Sequence, residues 1–237
     1  MSRASILLPA VRPLVVGSFG NASAIQAATR ESLATSCDIA EIRLDLLCAE
    51  TGSARPEDWR HLNGFPLLFT ARRADEGGAG NLSAPQRAAL LELALPDAAL
   101  IDIEIASAAE MGHMISEILS HGIPWTASFH DFSRLPEPGV METAARRARE
   151  CGAALFKLAA RLHHPSDIAR LADFQLADHG LPVSTMGMGP LAVVSRLLCA
   201  QCGAVLNYGY LGDQPTAPGQ WSAARLRDAI LALGPLT

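Results

Sequence analysis

Eight times along the chain a short apolar run gives way to a segment of helical periodicity, at intervals of about 25 to 35 residues, the length of a strand–helix unit. The predicted strands cover 14–18, 39–44, 66–71, 100–105, 124–129, 155–158, 182–186 and 205–208, and the predicted helices cover 22–36, 56–62, 84–95, 107–121, 140–151, 165–178, 190–202 and 222–233. Punctuation supports the division. Asn63-Gly-Phe-Pro66, His121-Gly-Ile-Pro124 and His179-Gly-Leu-Pro182 each put glycine after a helix and proline before a strand. Ser83, Ser107 and Ser166 are expected to cap helix N-termini, with Pro85, Pro165 and Pro190 in first turns, where a missing N–H costs little. Eight such units in 237 residues match a closed eight-stranded parallel (β/α)8 barrel, whose usual size is about 250 residues. An open dinucleotide-binding sheet fits less well, because Gly17-Ser-Phe-Gly20 stops short of a G-x-G-x-x-G turn. No Ser/Gly linker interrupts the repeat, so residues 1–237 are read as a single domain.

A net charge of −5 with no Lys/Arg-rich block argues against a nucleic-acid partner. Pro9, Arg12 and Pro13 break up the N-terminal apolar residues, so neither a signal peptide nor a membrane span is expected, and the chain is read as cytoplasmic. Five scattered cysteines suit reduced thiols. Cys199-Ala-Gln-Cys202 ends a helical run before Gly203, the wrong end for a redox pair, and no second ligand pair accompanies it for zinc.

In a barrel the strand C-termini open on one face, where chemistry collects. Glu41, Arg43 and Asp45 alternate on the second strand, Asp102 and Glu104 share a face of the fourth, Arg72-Arg73 end the third and His130-Asp131 the fifth. Lys157, on the sixth, is the only lysine beside eighteen arginines. Arginine fills any position that needs only positive charge, so a solitary lysine in an apolar run points to a required amine, one that can lose its proton and attack a carbonyl. Structural readings stand beside these. Alternating charges can pair within the barrel, His130 alone can be structural, Asp131 or Ser133 can cap a turn, and Lys157 can snorkel to water. Convergence of amine, histidine and arginines at one mouth favours a carbonyl substrate carrying an anionic group.

Seven segments extend this reading: Glu41-Ile-Arg-Leu-Asp45, Phe69-Thr-Ala-Arg72 with Glu76-Gly-Gly78, Ile101-Asp-Ile-Glu104, Ser128-Phe-His-Asp-Phe132, Phe156-Lys-Leu158, Ser195-Arg-Leu197 and Ala217-Pro-Gly-Gln220. Together, and in this order, they resemble type I 3-dehydroquinate dehydratase, the Schiff-base enzyme of the shikimate pathway. The resemblance implies that Lys157 forms an imine with 3-dehydroquinate, that His130 moves protons and that Glu76 orients His130. It also implies that Arg196 grips the substrate carboxylate, that Glu41, Arg43 and Arg72 hold ring hydroxyls and carboxylate, and that Thr216 and Gln220 belong to a closing loop. It implies a small-molecule substrate, no metal or organic cofactor and a homodimer. Thr216 stands where the family commonly has serine, and Pro190 and Ala192 stand where some members have lysine and glycine. Two alternatives remain at this point: another imine-forming, aldolase-like lyase, and a non-catalytic binder of quinate-type ligands on the same barrel.

Overall fold

The computed structural model describes residues 4–6, 8 and 12–234; the reading of the N-terminal apolar residues rests partly on 7 and 9–11, which lie outside these. Eight parallel strands form one sheet: β1 (Leu14–Phe19), β2 (Ile39–Arg43), β3 (Leu67–Thr70), β4 (Leu100–Glu104), β5 (Trp125–Asp131), β6 (Leu155–Arg161), β7 (Val183–Met188) and β8 (Leu206–Leu211). Each strand pairs with the next from β1 to β7, and β1 also pairs with β8. The remaining seam, β7 against β8, is joined by the Val205 N–H donating to the Val183 carbonyl at 3.3 Å and the Leu206 N–H donating to Ser184 Oγ at 2.8 Å. A serine side chain there takes the place of a ladder carbonyl. The result is the expected barrel.

The helices are α1 (Ala22–Ala27), α2 (Arg30–Ser36), α3 (Leu44–Thr51), α4 (Ala84–Ala94), α5 (Gly112–Ser120), α6 (Pro138–Glu150), α7 (Pro165–Leu176), α8 (Ala192–Gln201) and α9 (Ala223–Ala232). Several local expectations are corrected. The segment 22–36 is two helices, because Thr29 takes extended backbone and its hydroxyl accepts from the Ser32 N–H, capping α2. Residues 56–62 form two short 3₁₀ turns, and α3 supplies the helix of the second unit. That helix follows β2 directly, so its apolar residues merge with the strand's; Asp45 therefore sits in the first turn of α3 instead of extending β2. Ser107 ends a 3₁₀ turn and accepts from Arg87. Ser166 lies inside α7, whose start is held by Asp167 accepting from the His163 and His164 N–H groups. Pro190 precedes α8 by two residues. The three Gly-x-Pro turns hold, with Gly64, Gly122 and Gly180 all at positive φ.

Alternation along the strands makes two cores. Outward side chains such as Ile42, Phe69, Ile101, Trp125 and Phe156 pack under the helices. Inward, Val16, Ile39, Leu68, Leu100, Leu155 and Leu206 plug the lower barrel. Each such fully buried aliphatic side chain contributes roughly 1.5–3 kcal/mol. One step up the same strands the lining turns polar: Ser18, Glu41, Thr70, Asp102 and Lys157, all buried. The apolar plug is the floor of a polar site.

Candidate active site

The floor of the site is an ion-pair network built by strand register. Thr70 stands opposite Asp102, and Ser128 opposite Lys157, so inward groups of neighbouring strands meet at one height. Arg72 Nη1 donates to Asp102 Oδ1 at 2.9 Å, Glu104 Oε1 at 2.9 Å and Ser128 Oγ at 2.6 Å. Burial alone would raise the Asp102 carboxyl, but Arg72 and Lys157 outweigh it and hold it well below the usual carboxylate range. Glu104 also accepts from Arg87 of α4 at 2.8 Å. The charges thus pair between strands and with a helix. Glu41 accepts from Thr70 at 2.7 Å and from Ser18.

Lys157 stands above this floor, 4% exposed. Its Nζ lies 3.2 Å from Asp102 Oδ2 and 3.9 Å from the centre of the Tyr208 ring. Burial lowers the amine's pKa and Arg72 adds to the effect, while Asp102 and Glu41 oppose it. The sum favours the free amine more than water does.

His130 lies on the inward face of β5, two residues beyond the Lys157 partner Ser128, so imidazole and amine line the same cavity from adjacent strands. Glu76 Oε2 accepts from the His130 backbone N–H and lies 2.9 Å from Nδ1. Burial, with Arg72 and Lys157 nearby, pushes the imidazole well below its ordinary pKa. Burial pushes Glu76 up to about 7; Arg72 pulls against this and Glu104 adds to it. Both directions reflect the cost of charge in a dry site. When Glu76 is ionised it accepts Nδ1–H, which leaves Nε2 as a free base. The loop carrying Glu76 is fixed by Gly77-Gly78. Gly77 adopts φ +86° against the Phe132 ring, and a Cβ on Gly78 would lie 2.2 Å from the Arg72 carbonyl oxygen.

Arg196, on α8, is 2% exposed. Its Nη1 donates to the Tyr208 carbonyl at 2.7 Å, and its Nε is buried without a partner. Among the described residues no carboxylate pairs with it, and burial lowers its pKa to about 10. A buried guanidinium with no carboxylate beside it favours any anion that reaches it. Arg43 is differently placed. It is locked to Asp45 through Nε at 2.9 Å and Nη2 at 2.6 Å, and donates to the Gly77 carbonyl. Asp45 also accepts from the Arg72 and Ala79 N–H groups, tying the start of α3 to the loop after β3. Over the top, Gln220 Oε1 accepts from Thr216 N–H at 3.0 Å and Oγ1 at 2.9 Å. Gly219, at φ +74°, sits against the Gly189 carbonyl, where a Cβ would collide with it, so this loop closes onto the loop after β7.

Glu41, Arg43, Arg72, Glu76, His130, Lys157, Arg196, Thr216 and Gln220 all line one cavity. Ser18, Met186, Met188 and Tyr208 line it too, and of these Ser18 and Tyr208 were not singled out from the sequence. Their signal was phase: each falls on the inward register of its strand, two or four residues along from a plug residue or another lining group. Asp131 accepts from Ser133 and Arg134, a turn cap. Cys199 and Cys202 are free thiols. Among the described residues no group of three His, Cys, Asp or Glu is arranged to hold a metal ion, and no helix is long and apolar enough to cross a membrane.

A family profile described as type I 3-dehydroquinase matches residues 16–236. The 3-dehydroquinate dehydratase of Methanothrix thermoacetophila is 34% identical over 222 residues, covering 94% of this chain and 92% of its own. That of Methanocella arvoryzae is 31% identical over 205 residues, covering 86% and 91%. A crystal structure of type I 3-dehydroquinate dehydratase from Clostridium difficile, with covalently modified comenic acid, matches at a TM-score of 0.81 and 25% identity, over 98% of this chain and 97% of that one.

Proposed function

This chain belongs to the type I 3-dehydroquinase family, and on that premise we propose that it eliminates water from 3-dehydroquinate to give 3-dehydroshikimate, with Lys157 as the imine-forming residue. The observation that carries this reading is the buried Lys157 amine at the polar level of the barrel, its pKa lowered, facing a cavity shared with His130. The amine attacks the C3 ketone, and loss of water gives a protonated imine. That imine draws electrons from C2 and lowers the cost of removing its proton. His130 Nε2 takes the proton, then returns it to the departing C1 hydroxyl. Hydrolysis releases the enone and restores the amine.

Each neighbour has a role in this scheme. Glu76 keeps the imidazole turned with Nε2 toward substrate. Arg196, unpaired and buried, receives the carboxylate in a planar fork. Glu41, Arg43 and Arg72 face the ring oxygens, and Thr216 with Gln220 covers the site so that water does not hydrolyse the imine early. We also assign to the protein a single barrel domain, a cytoplasmic setting and a homodimeric state. Exposed Val194 and Leu198 on α8 and Leu231 on α9 support the dimer. The test is appearance of the conjugated enone by ultraviolet absorbance from 3-dehydroquinate. The purified protein should form it, and Lys157→Ala should lose at least about 10³-fold in rate while remaining folded, the scale expected when a covalent nucleophile is removed. No enone from the parent protein, or near-normal turnover by the variant, would reject the assignment.

A further inference from the structure

Two buried polar atoms of the cavity wall have no partner: Arg196 Nε and the Tyr208 hydroxyl. The first belongs to the carboxylate site. The second has no role so far. Tyr208 is 4% exposed and projects inward from β8, and its ring face carries Lys157 Nζ at 3.9 Å. The hydroxyl is fixed at the edge of that same ring, so phenol and amine border one small volume. Neighbours that might have satisfied it are engaged elsewhere: Glu41 accepts from Ser18 and Thr70, and Asp102 from Arg72, Ser128 and Lys157. A buried hydroxyl left without a partner is rare in native folds and calls for a reason. Burial, then Asp102 and Glu41, raise its pKa well above the ordinary phenol, so it remains a donor throughout the neutral range.

We propose that Tyr208 is a further catalytic group, donating a hydrogen bond to the substrate's C3 oxygen as Lys157 attacks C3. In that step the Nζ lone pair forms the N–C3 bond, the carbonyl π pair moves onto oxygen, and negative charge develops there. The attacked carbon and its oxygen occupy the volume between amine and phenol, where a preorganised donor acts on the charge as it forms. The oxygen then leaves as water. One of its protons comes from the amine and the second from solvent, both relayed by His130; the nitrogen keeps its other proton as the protonated imine, and Tyr208 keeps its own.

The inference rests on the dehydratase reading, and the test separates the two. The purified protein and Tyr208→Phe are mixed with 3-dehydroquinate, quenched with borohydride at intervals, and the reduced adduct is followed by mass. The variant keeps the ring beneath Nζ and loses only the hydroxyl. Adduct formation should slow at least about tenfold, a modest share of what one such donor supplies. Thermal stability should be unchanged or higher, because the group removed has no partner in the fold. Adduct formation at an equal rate in both proteins would overturn this inference alone, as would a melting temperature several degrees lower, which would show the hydroxyl engaged in the interior. Absence of adduct from both would overturn the dehydratase reading and this one with it.

Discussion

At the scale of single residues, burial sets which groups of the site hold a proton. Glu76 is raised to about 7 from an ordinary 4.5, so it binds a proton in the folded chain where the unfolded chain has released one. Its contribution to stability is therefore present below about pH 4.5 and lost as pH rises through about 7. Glu76→Gln removes that titration. Its melting temperature should gain on the parent's as pH rises from 5 to about 7 and hold that gain up to pH 9, in parallel scans. Catalysis runs the other way. Only ionised Glu76 accepts Nδ1–H and frees Nε2, so kcat/KM should fall as pH drops through about 7. In Glu76→Gln that acid limb should vanish or move to lower pH, with a rate loss on the order of 10- to 100-fold, the usual cost of removing such an orienting partner. An unmoved acid limb would assign the titration to another group.

At the scale of elements the loop after β3 places Glu76, and its shape depends on two glycines. Gly78→Ala would drive a methyl group into the Arg72 carbonyl, displacing the loop that also carries the Arg43 and Asp45 contacts. The expected cost is about 1–3 kcal/mol in urea unfolding, together with a loss of kcat/KM larger than that of a surface Gly→Ala such as Gly139→Ala, which meets nothing. The elements were legible in the sequence where one physical signal acted alone. Gly64, Gly122 and Gly180 ended their segments at positive φ as glycine before proline implies. Signals that overlapped were lost. Helix α3 followed β2 with no polar gap, and the Ser107 hydroxyl went to Arg87 because a buried guanidinium draws oxygen more strongly than a local cap does. At the site, charged residues were conspicuous at inward positions. Tyr208 was not, because its ring suits a core as well as a cavity. Nor does sequence alone show that Arg43 is tied to Asp45 while Arg196 has no carboxylate partner among the described residues, since pairing depends on which strands and loops meet.

At the scale of the whole molecule, strand alternation in a closed sheet separates two tasks. Outward residues hold the helices, and inward residues divide into an apolar plug below and a charged layer above. Barrel closure brings Arg196 of α8 near Lys157 of β6, and the covering loop joins the two ends of the sheet at Gly189 and Gly219. For the homodimer, sedimentation equilibrium at micromolar concentration should return twice the 25.0 kDa of the chain; the monomer mass alone would reject it. The most direct test of an imine at Lys157 is borohydride reduction in the presence of 3-dehydroquinate, followed by peptide mapping. The expected result is one added ligand per chain, on the peptide carrying Lys157. A label elsewhere, or none while enone still forms, would contradict it.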